Sequence, residues 1–135
     1  RSVSRGLGDV YKRQVKLMLK KGIQVLGSHI LILGITFKEN CPDVRNTKVV
    51  DIIRALREYN VNVTIYDPWA NPGAVKREYG LDIETELPAN RYEAIVLAVA
   101  HEKFRDIRIG ELKAENAVVY DVKNMLPHEL SDGRL

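Results

Sequence analysis

The sequence predicts an α/β domain in which a mostly parallel sheet of about five strands lies between two layers of helices. Short runs of β-branched and aliphatic residues alternate with segments of helical periodicity, which is the arrangement of βαβ units. The runs are almost continuously apolar, as is typical of strands buried on both faces of a parallel sheet. A chain of 135 residues is long enough for one such domain with a hydrophobic core, but not for two.

The first half of the domain is predicted to contain two strands and two helices. The run HILILGIT at 29–36 is the first strand, and a helix capped by Asn46 or Thr47 continues to Tyr59 with apolar residues at helical spacing. The second strand is predicted at 61–66, and Asp67-Pro68 closes it. Pro72 lies in the first turn of a shorter helix over 72–79, which Gly80 ends.

The second half is predicted to be dominated by buried strands with short helical pieces between them. Leu81 to Ile83 is interpreted as a brief edge strand, AIVLA at 94–98 as a buried strand, and AVVYD at 117–121 as the last strand. Residues 101–113 are predicted as helical pieces interrupted near Gly110. Right-handed crossovers between these strands give a Rossmann-like three-layer sandwich.

Composition excludes several classes of function. Every apolar run is too short to cross a bilayer, and a single cysteine excludes an internal disulfide framework and a multi-cysteine zinc site. The net charge of +3 resides in residues 1–14, so the remaining residues hold 17 basic and 17 acidic side chains. A neutral body without a basic stripe argues against a nucleic-acid partner, and we expect neither a nucleic-acid nor a membrane partner.

Residues 1–14 (RSVSRGLGDVYKRQ) are interpreted as a non-native leader. They lack hydrophobic periodicity and the apolar region of a signal peptide. Asp9 to Gln14 reads back in one frame as GATGTGTATAAGAGACAG, which resembles the transposase end of sequencing-library adapters, and Ser4 to Gly8 reads back as more of it. A natural basic arm is the alternative. The adapter interpretation predicts that native sequence begins near Val15 as the tail of a longer protein.

Three segments are therefore expected. Residues 1–14 are the leader, residues 15–28 hold the end of a helix linking from a missing central region, and residues 29–135 form the domain. Within the second segment, Val15 to Lys21 ends a helix, with lysines favourable at its C-terminus and Gly22 as terminator.

Ligands of such sheets bind beyond the carboxyl ends of the strands, where strand order reverses. The first strand runs into a loop over 37–46 rather than into GxGxxG, so the usual pyrophosphate cradle is not expected there. This loop carries Lys38 and Arg45, a pair of cations suited to an anionic ligand such as a phosphate. The alternative is a solvated loop whose charges pair with one another.

Residues 34–70, GITFKENCPDVRNTKVVDIIRALREYNVNVTIYDPWA, are similar to the start of the C-terminal domain of the UDP-glucose/GDP-mannose dehydrogenase family. The matching elements are Gly34, Phe37-Lys38, Asp43-x-Arg45, the helix after it and Tyr66-Asp67-Pro68. Glu39 to Pro42 and Ala98 to His101 most resemble the branch that oxidises UDP-N-acetylhexosamines, as in Vi-antigen and related surface-polysaccharide pathways. The resemblance covers essentially all of residues 15–135.

The resemblance implies a fragment of a cytoplasmic NAD-dependent enzyme that oxidises the C6 alcohol of a nucleotide sugar to a carboxylate. Family members bind NAD mainly through an N-terminal domain, dimerise through a central region and bind UDP through the C-terminal domain, so the parent enzyme is expected to be a homodimer or a higher homo-oligomer. By this resemblance Phe37 and Lys38 contact the UDP-sugar, and Arg45 reaches NAD. Lys123 stands where many relatives have arginine in Asp-Gly-Arg-Asn, a change that keeps the charge but loses the planar fork.

Cys41 and His101 are the other residues with candidate chemistry. The family's catalytic cysteine lies in a central segment that this chain lacks, so Cys41 is not expected to be catalytic. His101 is interpreted as a residue at the start of a helix lining the cleft, with a direct acid/base role as the alternative. Tyr66 and Trp69 are expected to serve packing.

Two functions of different classes remain open. The first is an inactive fragment that holds the UDP-sugar for a longer dehydrogenase, because the dinucleotide fingerprint and the thiolate are missing. The second is a stand-alone module that binds a nucleotide or nucleotide sugar without catalysis. No metal site is expected in either case.

Overall fold

The computed structural model of the protein describes residues 25–134, together with Arg13 and Lys16. Its centre is a five-stranded parallel sheet in the order β2-β1-β3-β4-β5. The strands are β1 (His29–Leu33), β2 (Asn62–Tyr66), β3 (Tyr92–Leu97), β4 (Lys113–Asp121) and β5 (Gly133–Arg134). The helices are α1 (Val49–Arg57), α2 (Pro72–Tyr79) and α3 (Ile109–Leu112), with 3-10 turns at Glu102–Asp106 and His128–Leu130. The fold is therefore the Rossmann-like α/β architecture that the sequence predicts.

One face of the sheet packs against α1 and α2. Because side chains alternate along a strand, Ile30 and Ile32 of β1 point to this face together with alternate residues of β3 and β4. Helix α1 buries its valine, isoleucine and leucine side chains against them, whereas Asp51, Arg54 and Arg57 stay exposed. This amphipathic pattern, rather than a strong cap, accounts for the position of α1.

The opposite face is covered by shorter pieces. Leu31 and Leu33 point to it and pack with a cluster from the first 3-10 turn, from α3 and from the segment after β4. Phe104, Ile109, Leu112 and Leu126 are the buried apolar residues of those pieces that belong to this cluster. Both faces of the sheet are thus buried, as the continuously apolar strands predict.

Several boundaries differ from those predicted. The first strand ends at Leu33 rather than Thr36, because Gly34 adopts a positive φ of 97° and turns the chain away. The predicted edge strand at 81–83 is wrong, since the only pairing there is an isolated bridge between Tyr66 and Glu84 among the described residues. Strand β4 begins four residues earlier than Ala117, immediately after α3.

Some helix ends lie at the predicted residues, and others do not. Asn71 caps α2 by accepting a hydrogen bond from the Ala74 N–H at 3.0 Å, and Gly80 ends it in the left-handed conformation. Helix α1 begins later than predicted, after Lys48, and no side chain caps it, although the Thr47 hydroxyl accepts a hydrogen bond from the Val49 N–H. The break in 101–113 falls at 107–108 rather than at Gly110, which lies within α3.

The leader at 1–14 and the helix predicted over 15–21 fall outside the described residues, except for Arg13 and Lys16. The division at residues 14 and 28 therefore stays a prediction. Across the part of the chain that the structure describes, no helix has the length and hydropathy needed to span a membrane.

Candidate functional site

The candidate site lies at the carboxyl edge of the sheet, where the strand order reverses. Strand β1 connects to β2 on one side, whereas β3 lies on the other side of β1. The loops that follow β1 and β3 therefore start from neighbouring strands and lead away from each other. Open α/β sheets form a ligand crevice at such a point. In this protein those loops are 34–48 and 98–101.

The loop after β1 presents two of the predicted ligand residues to solvent. Phe37 is 57% exposed, an unusual position for a large apolar side chain, and Lys38 beside it is also exposed. The Phe37 N–H donates to the Asp43 carbonyl oxygen at 2.7 Å, which closes the loop behind them. This hydrogen bond holds the loop backbone, whereas the side chains of Phe37 and Lys38 are exposed to solvent.

A buried carboxylate, Asp67, organises the base of this loop. Its Oδ2 accepts hydrogen bonds from the N–H groups of Ile35 and Thr36 at 2.7 and 3.2 Å, and its Oδ1 accepts from those of Trp69 and Ala70 at 2.8 and 3.0 Å. The side chain is fully buried. Burial raises the pKa of Asp67, but hydrogen bonds from His101 and from the backbone outweigh burial and hold that pKa below its ordinary value.

His101 is the second buried group of the site. Its Nδ1 accepts a hydrogen bond from the Asn40 N–H at 2.9 Å, so this nitrogen carries a lone pair and no proton. The proton of the neutral ring is therefore on Nε2, which lies 3.0 Å from Asp67 Oδ2 and 3.2 Å from Thr36 Oγ1. The Thr36 hydroxyl donates in turn to the Lys38 carbonyl oxygen at 2.9 Å.

Asn40 joins the two loops. Besides its N–H bond to His101, its side-chain oxygen accepts from the Glu102 N–H at 2.9 Å. Its φ of 55° is left-handed, a conformation that asparagine adopts more readily than most residues. Asn40, His101, Thr36 and Asp67 together form what we call the loop clamp.

Arg45 lies on the far side of the loop and is held by Asp43. The guanidinium donates from Nε to Asp43 Oδ1 at 3.0 Å and from Nη2 to Oδ2 at 3.1 Å. These bonds from Arg45 hold the pKa of Asp43 at about 2, and the charge of Lys38 contributes to the shift. Arg45 is 77% exposed and lines an open groove of about 320 Å³ between the loop and α2. The Asp43 pair thus fixes the guanidinium through two hydrogen bonds while it stays exposed to solvent.

Lys123 occupies a different turn of the same sheet edge. The buried carboxylate of Asp121 accepts from the Lys123 N–H at 3.1 Å and from the Leu126 N–H at 2.7 Å, so the turn is fixed while the Lys123 side chain is exposed. Strand β3 separates β1 from β4. At the usual strand spacing, this turn starts about 10 Å from the end of β1. Phe37, Lys38 and Arg45 share one loop, and Lys123 approaches from beyond β3.

The turn after β1 does not fit a dinucleotide pyrophosphate. The N–H groups of Ile35 and Thr36, which would have to bind the phosphates, already bind the Asp67 carboxylate. The space that a close phosphate needs at Gly34 is also taken, because a Cβ placed there would lie 2.6 Å from the Val99 Cβ. Within the described residues, an internal anion therefore fills the position that an NAD pyrophosphate would take in a dinucleotide-binding turn.

Cys41 has no base available from His101. Cys41 is a free, half-buried thiol, and both ring nitrogens of His101 are engaged by the loop clamp. Nor is His101 a cleft-lining acid or base, since its side chain is fully buried. The three members of the clamp other than His101 were not singled out from the sequence as site residues, because their contacts join segments that are far apart along the chain.

Trp69 differs from its prediction. The sequence interpretation assigned Tyr66 and Trp69 to packing; Tyr66 is buried, but Trp69 is 44% exposed. Trp69 lines an open groove of about 450 Å³ with Asn40, Pro68, Glu102 and Lys103. An aromatic surface and a cation thus lie beside the loop clamp, at positions that sequence periodicity does not mark.

Comparison with family models gives one match that spans most of the domain. The model described as "UDP-glucose/GDP-mannose dehydrogenase family, UDP binding domain" matches residues 31–128. These residues include every ligand residue named above, from Phe37 to Lys123.

Curated relatives agree with the family match. The chain is 42% identical over 139 residues to a UDP-N-acetyl-D-glucosamine 6-dehydrogenase of Salmonella typhi and 44% identical over the same length to one of Pseudomonas aeruginosa. Each alignment covers 100% of this chain but 33% of the relative. The chain thus spans about a third of the length of the curated relatives it matches.

Solved structures resemble the fold. The NDP-N-acetyl-D-galactosaminuronic acid dehydrogenase from Methanosarcina mazei Go1 superposes with a TM-score of 0.76 at 18% identity, covering 93% of this chain and 29% of that one. A UDP-glucose dehydrogenase from Pyrobaculum islandicum superposes with a TM-score of 0.68 at 24% identity, covering 94% and 28% respectively. At these identities the likeness concerns architecture alone.

Proposed function

This chain belongs to the UDP-glucose/GDP-mannose dehydrogenase family, and from that membership we propose that it is the part of a longer NAD-dependent enzyme that holds the UDP-sugar. The relatives in Salmonella typhi and Pseudomonas aeruginosa are named as UDP-N-acetyl-D-glucosamine 6-dehydrogenases. The proposed reaction is accordingly oxidation of the C6 alcohol of a UDP-N-acetylhexosamine to a uronate, for surface-polysaccharide biosynthesis in the cytoplasm.

One observation carries this proposal. In the loop after β1, hydrogen bonds hold the backbone in place, while the side chains proposed to bind the ligand are exposed to solvent. Phe37 is exposed although it is strongly apolar, and the adjacent Lys38 supplies a cation. An aromatic or apolar surface next to an ammonium suits a nucleoside diphosphate, whose base is flat and whose phosphates are anionic. We propose that Lys38 binds oxygen atoms of the ligand and that Lys123 supplies a second charge.

NAD is proposed to be held mainly by another part of the parent enzyme. The turn after β1 cannot take the pyrophosphate, so Arg45 is proposed as the contribution of this chain. NAD would accept a hydride from the sugar when bound, and Arg45 would bind an anionic group of the cofactor. The exposure of the Arg45 guanidinium beside an open groove supports this assignment.

A substitution at Lys38 tests the proposed function. We expect Lys38→Ala to weaken UDP binding to the chain by about tenfold or more, because a charge-assisted contact to phosphate is lost. Isothermal titration with UDP measures this. Lys76→Ala is the matched control. Lys76 lies on α2, is also exposed and, among the described residues, pairs only with the exposed Asp82.

Absence of UDP binding by the unmodified chain, or equal losses in the two lysine variants, would contradict the assignment. In the full-length parent, the same Lys38→Ala change should weaken UDP binding far more than NAD binding. Equal loss of both ligands there would also refute it.

A further inference from the structure

The loop clamp has a property that the proposed ligand contacts do not explain. His101 is fully buried, and its ring bonds only to Asn40, Thr36 and Asp67 among the described residues. It therefore cannot touch a substrate in this arrangement. Yet two of its three partners belong to the loop that carries Phe37 and Lys38.

The ring of His101 bonds one residue on each side of Lys38, through a side-chain hydroxyl at Thr36 and directly to the backbone at Asn40. On one side, Nε2 of His101 bonds Thr36, whose hydroxyl binds the carbonyl oxygen of Lys38 itself. On the other side, Nδ1 accepts the N–H of Asn40. The positions of the two exposed side chains are thus set by one imidazole ring, which Asp67 holds in turn through Nε2.

The direction of each bond requires one protonation state. An N–H from Asn40 can be accepted only by an unprotonated Nδ1, and Asp67 can be reached only by a proton on Nε2. An imidazolium would place two N–H groups against each other at Nδ1. The other neutral tautomer would lose both bonds at once.

We propose that His101, in its neutral Nε2–H form, is a positioning residue that fixes the Phe37–Lys38 loop for binding of the nucleotide diphosphate. This inference rests on the proposed function for the identity of the ligand. His101 acts through Asn40 and Thr36 and makes no contact with the ligand. Preorganisation of this kind increases affinity because the loop loses less conformational entropy when the ligand binds.

Two substitutions separate the two nitrogen atoms of the ring. In His101→Asn the amide oxygen takes a position close to that of Nδ1 and can still accept the Asn40 N–H, whereas in His101→Gln the amide nitrogen takes the place of Nε2 and keeps the bond to Asp67. If the Nδ1 bond to the Asn40 N–H contributes most to affinity, His101→Gln raises the Kd for UDP by about tenfold and His101→Asn by less than about threefold. Titration calorimetry of the full 135-residue chain with UDP measures both.

Controls distinguish positioning from a general loss of stability. Leu112→Ala removes a buried side chain from α3, at the opposite edge of the sheet, and should lower stability without changing the Kd for UDP. Thr36→Val keeps a β-branched side chain of similar size but removes the hydroxyl that joins His101 Nε2 to the Lys38 carbonyl oxygen, and should weaken UDP binding by about threefold. This variant tests the proposal even if both His101 variants fail to fold.

Nitrogen-15 chemical shifts of the His101 ring give a readout that needs no ligand. The expected spectrum at neutral pH has a protonated Nε2 and an unprotonated Nδ1. A protonated Nδ1, unchanged UDP affinity in His101→Gln and Thr36→Val, or an equal loss in Leu112→Ala would overturn the positioning role. If the unmodified chain fails to bind UDP, the proposed function is wrong. If it binds UDP but substitutions at position 101 leave the Kd unchanged, only the positioning role of His101 is wrong.

Discussion

The buried carboxylate of Asp67 shows how one side chain determines local backbone structure. Its oxygen atoms receive four backbone N–H groups and one imidazole N–H, which is as many partners as a carboxylate can take with good geometry. These donors come from the loops after β1, β2 and β3. A carboxylate buried this way is stable only because every lone pair is used, and loss of its charge leaves several donors poorly paired.

Asp67→Asn should lower the free energy of unfolding by about 3 kcal/mol at neutral pH, since an amide N–H₂ would face backbone donors. Because the pKa of Asp67 is below its ordinary value of 3.8 in the folded state, its stabilisation is present above that pH and is lost as the pH falls through the folded pKa. Urea unfolding at a series of pH values should therefore show a shallower acid loss in Asp67→Asn.

Asp82→Asn is the control for this change, because Asp82 forms only an exposed pair with Lys76 and should cost less than about 0.5 kcal/mol. Similar unfolding curves for the two asparagine variants would contradict the role assigned to Asp67.

At the scale of elements, the sequence predicts what depends on local pattern. The four main strands, α1 and α2 follow from apolar runs, from periodicity and from Pro72 and Gly80. The edge strand at 81–83 was wrong because two apolar residues flanking Asp82 do not determine whether a neighbour is available to pair. The exposed charges of Lys38 and Arg45 could be found from the loop sequence, whereas the loop clamp joins residues 61 positions apart and depends on tertiary packing.

The junction between β1 and its following loop depends on Gly34. Gly34→Ala should destabilise the fold by about 3 kcal/mol or more, because it combines a φ of 97° with a Cβ placed 2.6 Å from the Val99 Cβ. Gly80→Ala is the matched comparison, since its φ is 69° but nothing lies within 4 Å of the added Cβ. We expect Gly80→Ala to cost about 1 kcal/mol, as backbone strain alone.

Thermal or urea unfolding of both alanine variants measures the difference. Equal costs would mean that Val99 moves aside and that the junction is less tightly packed than described. A larger cost at Gly80 would contradict the interpretation of both positions.

At the scale of the whole molecule, both faces of the sheet are covered by packed elements, and the candidate site lies at the carboxyl edge of the sheet. Two grooves flank the loop clamp, one beside Arg45 and one beside Trp69, and both are open rather than enclosed. The described residues contain no cluster of three potential metal ligands. The chain thus offers an exposed half of a binding surface, which fits the proposal that the rest of the parent enzyme completes it.

The chain by itself is expected to bind UDP and to produce no NADH from NAD and a UDP-N-acetylhexosamine. The physical reason is that the fully buried His101 and the half-buried Cys41 are not arranged to take the proton of the C6 alcohol or to capture an aldehyde. Absorbance of NADH measures turnover, with UDP titration on the same sample as the control for folding. Sustained NADH production would refute the proposal, and UDP binding by a protein shown to be complete at this length would favour a stand-alone binding module.

The strand order has a consequence for how the protein reaches its native state. Strands β1 and β2 are linked by α1, and β3 and β4 by the first 3-10 turn and α3, but β1 meets β3 only after the chain has passed through α1, β2 and α2. Pairing across so long a segment carries the largest loop-closure entropy and is expected to form late in folding. His101 and Asn40 lie on opposite sides of that late contact. A ligand held by their loop therefore binds only after the sheet is complete. At a concentration one hundred times its Kd, such a ligand would raise the free energy of unfolding by about 2.7 kcal/mol.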